Sequence, residues 1–140
     1  MPYSAVFLGI AGLIPFVAMP LAYQLNLLSL TQSAVYFVQY SAVLLSFFGE
    51  VAWWDAISTQ RYEIRLLVAM LPTIIGWLCL VFSHDVKVFG VLSLSYVAVL
   101  IYDKFILSLP KEQIVSYISL RMGLTSVVVI CHAWMIYLLV

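Results

Sequence analysis

The chain has 140 residues, 66% hydrophobic and 9% charged, with mean hydropathy +1.15 and zero formal net charge. Soluble domains carry roughly 25% charged residues, so this chain has more apolar surface than a small water-soluble core can hide, and the lipid bilayer is its expected solvent. The neutral balance speaks against a nucleic-acid partner and against electrostatic capture of acidic substrates.

The opening stretch, MPYSAVFLGIAGLIPF, has neither a basic n-region nor a small-residue cleavage site, and it is not rich in arginine. It reads as a retained first span rather than a signal or transit peptide. That favours a bacterial inner (cytoplasmic) membrane, with the mitochondrial inner membrane as the alternative. Spanning takes about 20 apolar residues. Five runs qualify: about 5–23, 34–54, 66–82, 88–107 and 120–139. Backbone groups facing lipid must be satisfied within their own segment, and none of the runs alternates as a barrel strand would. The expected fold is an all-α membrane protein, a bundle of five transmembrane helices forming one domain over residues 1–140.

Pro15 and Pro20 fall in the first run and Pro72 in the third. Each lacks an N–H, so the carbonyls of Ala11, Phe16 and Val68 lose their usual partners and the helices are expected to bend. Two outcomes stay open: small bends absorbed by neighbouring hydroxyls, or a discontinuous helix lining a binding site. Ser108 and Pro110 in SLPKEQ look like the start of a helix. The amphipathic stretch that follows, with Ile114, Tyr117 and Ile118 on one side, lies on the membrane surface or extends the fifth span inward. GLIP at 12–15 matches AMLP at 69–72 in its proline, and QYSAVLL at 39–45 resembles SYVAVLI at 95–101. The offsets, 57 and 56 residues, would suit a duplicated helical hairpin followed by a fifth helix. Ala5-x-x-x-Gly9, Ala18-x-x-x-Ala22 and the series Gly90, Ser93, Ser95, Ala98 are small-residue patterns that let helices approach closely.

With five spans, the N-terminus shares a side with loops 55–65 and 103–121, which hold Arg61, Arg65, Lys104, Lys111 and Arg121. The other side holds Lys87 alone. This bias puts the N-terminus in the cytoplasm and the C-terminus outside. Tyr23, Trp53, Trp54 and Tyr102 sit where interfacial anchors belong.

Within the second run, FFGEVAWWD places Glu50 past the midpoint toward the cytoplasmic end, about 9 Å from the bilayer centre by helical rise. An ionised acid there costs about 2–3 kcal/mol unless it is paired, neutralised or hydrated. Arg121, Asp103 and Lys104 enter the bilayer from the same side, so Glu50, Asp103, Lys104 and Arg121 are expected to form one polar cluster. Such a cluster serves as a structural ion-pair network, a proton or ion pathway, or a head-group or quinone-like ligand site. His132 in the fifth run and His84 in SHDVK are weak metal candidates. Cys131 and His132 are adjacent, hence about 100° apart on a helix, and do not easily share one ion. His132 is expected to hydrogen-bond within the bundle, and Cys79 and Cys131 to pack as free thiols. No phosphate loop, HExxH, GxSxG or GxGxxG occurs, so no catalytic residues and no cofactor are expected.

LGIAGLIPF, YSAVLLSFFGEVAWW from Tyr40 to Trp54, Asp103, Pro110 and Leu120–Arg121 resemble, over nearly the whole chain, the domain of unknown function 3429 family, the transmembrane protein 69-like small inner-membrane proteins. The family's second helix reads like YGAVILSFLGGxHWG. Glu50 stands here in place of the second glycine of its GG pair and Ala52 in place of its histidine, so any activity carried by that histidine is absent here or falls to Glu50. The resemblance implies fold and localisation and assigns no activity. Small polar loops leave little room for a soluble active site, so the expected function is an accessory or assembly subunit of a larger, respiratory-type membrane complex. The alternatives are a small oligomeric transporter or proton-conducting protein using Glu50, and a quinone, lipid or haem binding protein. The expected partners are the bilayer and other membrane subunits, with a homo-oligomer left open.

Overall fold

The computed structural model describes residues 3–58, 60, 64–106 and 111–140, and the side chains among them except those of Tyr3, Ala5, Ile106 and 111–115. Arg61, Ser108 and Pro110 lie outside the described residues, as do the side chains of Lys111, Glu112 and Ile114. Among the described residues six helices form: α1 Tyr3–Ala11, α2 Ile14–Gln24, α3 Leu30–Ser58, α4 Ile64–Val81, α5 Lys87–Ile106 and α6 Lys111–Leu139. Among these residues five segments are long and apolar enough to cross a membrane, because α1 and α2 together make one.

The division of the first span follows from Pro15. With no N–H to give to the carbonyl of Ala11, the chain turns at Gly12–Leu13, and Leu13 N–H bonds the nearer carbonyl of Ile10 at 3.0 Å. Pro15 then sits in the first turn of α2, where the missing donor is harmless. Tyr40 on α3 donates its phenolic proton to the carbonyl of Gly12 at 2.6 Å. A neighbouring hydroxyl thus satisfies the carbonyl next to the one that Pro15 leaves unpaired, and the helix is discontinuous.

Helices α3 and α6 are each 29 residues long, longer than the apolar runs that predicted them. Apolar length marks only the hydrocarbon crossing, whereas helical hydrogen bonding continues into the interface. At the start of α3 the Ser29 hydroxyl accepts from the N–H of Gln32 at 3.1 Å, which fixes the helix four residues ahead of the apolar run. Of the two placements open to the amphipathic stretch, α6 takes the continuous one.

Helix α3 packs most extensively on α4, and also on α2 and α5, while α5 packs on α6. The α3–α4 contact is close at two levels. A Cβ on Gly49 would lie 2.9 Å from the Ala69 carbonyl oxygen, and one on Gly76 would lie 3.0 Å from that of Ala42. Ala42 and Gly49 are seven apart, as are Ala69 and Gly76, so small residues oppose backbone once every two turns along an antiparallel pair. The predicted series in α5 is used less: Gly90 has open space around it, and Ala98 is exposed. The aromatic core lies among α2, α3, α5 and α6, built on Phe16, Phe37, Phe89, Tyr96 and Met135, with Cys79 of α4 joining it.

Candidate functional site

His132 lies at the centre of that core, fully buried with Ser41. Its Nδ1 lies 2.7 Å from the Val128 carbonyl, which only accepts, so Nδ1 carries the proton. In the neutral ring Nε2 then accepts from the Ser41 hydroxyl, 2.8 Å away. Tyr96 completes the network by donating to the Ser41 carbonyl at 2.5 Å. Phe37 packs edge-on to the imidazole at 4.7 Å between centroids, with Phe16 at 5.6 Å and Phe89 at 6.3 Å. Both ring nitrogens are engaged and enclosed, so this histidine joins α3 to α6 and has no free position for a ligand. His84 is exposed, and among the described residues no three of His, Cys, Asp and Glu gather around a common point. Cys79 and Cys131 are buried free thiols.

The polar cluster expected near the cytoplasmic end divides. Arg121 and Asp103 form an ion pair between α6 and α5, 3% and 0% exposed, with Nη1 donating to Oδ2. The guanidinium stacks over the Phe48 ring at 4.1 Å and faces Tyr117 one turn back on α6, whose hydroxyl is 3.4 Å from Nη1. Lys104 is exposed and lies over the Phe105 ring at 5.7 Å. It follows Asp103 by 100° around α5, so both cannot face α6. Glu50 is likewise elsewhere. Phe48 faces Arg121, and two residues on, about 200° around α3, Glu50 points to the opposite side. There it lines a groove of about 530 Å³ between α3 and α4, with Ser46, Phe47, Trp53, Met70 and Thr73.

The ion pair leaves polar atoms over. Among the described residues Arg121 Nε and Nη2 and Asp103 Oδ1 have no hydrogen-bond partner, although all three are buried. Each residue lines a different cleft. Arg121 lines one of about 350 Å³ beside the broken first span, and Asp103 one of about 460 Å³ between α3, α4 and α5. Phe48 lines both and forms the wall between them. Sequence reasoning missed Phe48, Ser41 and Tyr96. The one signal available was Tyr117, four residues before Arg121 on the same helix face.

A model of the family described as Protein of unknown function (DUF3429) matches residues 1–137. The chain belongs to this family. It is also 35% identical over 95 residues to Transmembrane protein 69 of Xenopus tropicalis, a match covering 65% of this chain and 38% of that protein. The chain thus spans well under half the length of this relative. No solved structure matches it. Against the family pattern, Glu50 opens on the outer groove and Ala52 lines the Asp103 cleft, so the two departures fall on different sides of α3.

Proposed function

We propose that the protein works as an accessory or assembly subunit of a larger inner-membrane complex, docking through the α3–α4 face that carries Glu50. The observation that carries this reading is an exposed acidic side chain in the groove between α3 and α4, two helices long and apolar enough to cross a membrane. Glu50 lies six residues, about 9 Å along the axis, from the middle of α3, inside a hydrocarbon layer about 30 Å thick. Among the described residues it joins no ion pair. A charge or an unpaired carboxyl at that depth is unfavourable against lipid and favourable against a donor.

The occupant that fits is a transmembrane helix of another chain carrying lysine, arginine or a hydroxyl at the level of Glu50. Two copies of this chain meeting groove to groove would oppose two carboxylates, which disfavours self-association through this face. The close α3–α4 packing supplies a preorganised surface, and exposed Phe47, Trp54, Met70 and Trp77 supply area for dispersion contact. An N-terminus in the cytoplasm belongs to the same proposal. Arg121 drops out of the loop charge count because it is buried in a pair, leaving Arg61, Arg65, Lys104 and Lys111 against Lys87.

The test is photo-crosslinking from positions 43 and 73, which flank Glu50, in native membranes. A defined heterologous adduct that weakens at least fivefold in Glu50→Gln supports the proposal. Adducts to lipid alone, together with a monomeric particle after gentle extraction, would overturn it.

A further inference from the structure

We propose that the cleft between the broken first span and α6 is a binding site for a neutral amphiphile, whose carbonyl oxygen accepts hydrogen bonds from Arg121. Three observations meet at this place. The first is an apolar cavity of about 350 Å³ lined by Gly9, Gly12, Leu13, Phe48 and Leu124, within the size range of small-molecule sites. The second is Arg121 itself, which lines the cavity at 3% exposure and brings Nε and Nη2 without a protein partner. These atoms carry three N–H groups in a fixed planar fork, and a buried donor left unpaired costs about 1–3 kcal/mol, so the site holds something that accepts. The third is the chain break at Gly12–Leu13, on the same cavity wall. Non-helical backbone at membrane depth is tolerated where it lines a cavity, and helices interrupted in this way recur at intramembrane binding sites.

The chemistry of the occupant follows from charge. Asp103 already neutralises Arg121, so a phosphate or carboxylate would bring a net negative charge into an apolar cavity beside Asp103. A carbonyl oxygen satisfies the N–H fork without that penalty. The Phe48 and Tyr117 rings, whose centroids lie 4.1 and 5.6 Å from the guanidinium carbon, offer aromatic surface to a planar head, while Leu13 and Leu124 line the apolar remainder of the cavity. Arg121 lies five residues, about 8 Å, inside the end of the last span at Ser116. Two sources share this chemistry, an isoprenoid-type quinone and the ester carbonyl of a lipid.

The experiment separates them using the full chain in nanodiscs of ether-linked phosphatidylcholine, which has no ester carbonyl. A short-chain alkyl benzoquinone is titrated in, and bound quinone per chain is measured after removal of excess. In parallel, the thermal midpoint is compared between ether-linked and ester-linked discs. A quinone site gives saturable binding near one per chain. A lipid-ester site gives a higher midpoint in ester discs and no saturable quinone binding. Arg121→Lys keeps the charge but loses the fork, and Leu124→Trp fills the cavity without touching the ion pair. Either variant should weaken the observed effect at least tenfold, and should either variant fail to fold, the wild-type comparison decides alone. Neither quinone binding nor an ester-dependent midpoint in the wild type would overturn the proposal, leaving water as the partner of Arg121. Tighter binding of dodecyl phosphate than of both neutral probes would overturn the assignment to a carbonyl.

Discussion

Tyr40 on α3 donates to the carbonyl of Gly12 at 2.6 Å, tying the break in the first span to a 29-residue helix across 28 positions of sequence. The same phenol packs edge-on to Phe16 at 5.0 Å, so one side chain holds both the turn and the start of α2. Tyr40→Phe keeps the ring and removes the donor. Hydrogen bonds between membrane helices are worth about 0.6 kcal/mol on average, with a maximum of about 1.7. A loss in the upper half of that range is expected, read as unfolding in mixed dodecyl sulfate and maltoside micelles. An unchanged midpoint would show that the turn is held by its own backbone.

Gly49 and Gly123 form a controlled pair on two long helices. An added methyl at Gly49 meets the Ala69 carbonyl at 2.9 Å and Pro72 at 3.2 Å, whereas at Gly123 it meets nothing within 4 Å. Backbone cannot give way as a flexible side chain would, so Gly49→Ala should destabilise by about 1–3 kcal/mol. Gly123→Ala should be neutral or stabilise by up to about 1 kcal/mol through helix propensity. Equal effects of the two would refute the close α3–α4 approach.

Arg121 and Asp103 are buried partners, and Glu50 belongs to neither. Arg121→Gln or Asp103→Asn alone leaves an uncompensated buried charge and should cost about 3–5 kcal/mol. The double replacement, Arg121→Met with Asp103→Leu, should recover most of that loss. Glu50→Gln should leave stability within about 0.5 kcal/mol of the parent. A Glu50→Gln variant as unstable as Arg121→Gln would return Glu50 to the ion-pair cluster.

Orientation is checked by labelling. Gln60 follows α3, with a φ of 57° that marks the turn toward α4, and His84 is exposed in the connection before α5. Gln60→Cys should react with an impermeant maleimide only from the cytoplasmic side and His84→Cys only from the opposite side. Cys79 and Cys131 are buried, so the background stays low. Reversed labelling would overturn the cytoplasmic N-terminus.

The sequence by itself determined the number of spans, because apolar length is a one-dimensional quantity read by counting. It also marked Pro15 as a place where the first helix loses a hydrogen bond, and it put Arg121 and Asp103 at one depth, since depth follows from distance to the span end. Direction around each helix was a different matter. In water, polar residues mark the outer face of a helix; in lipid, the inner and outer faces are both apolar, and the pattern carries little azimuthal information. That is why Glu50 and Lys104, at the right depth to meet Arg121, point elsewhere, while Phe48 and Asp103 take its two sides. Ser41 and His132 stand 91 positions apart and meet only because α3 and α6 share the aromatic core. The seven-residue spacing of Ala42 with Gly49 and of Ala69 with Gly76 was visible in the chain, yet it gained meaning only when the tertiary structure set the two helices antiparallel and in register.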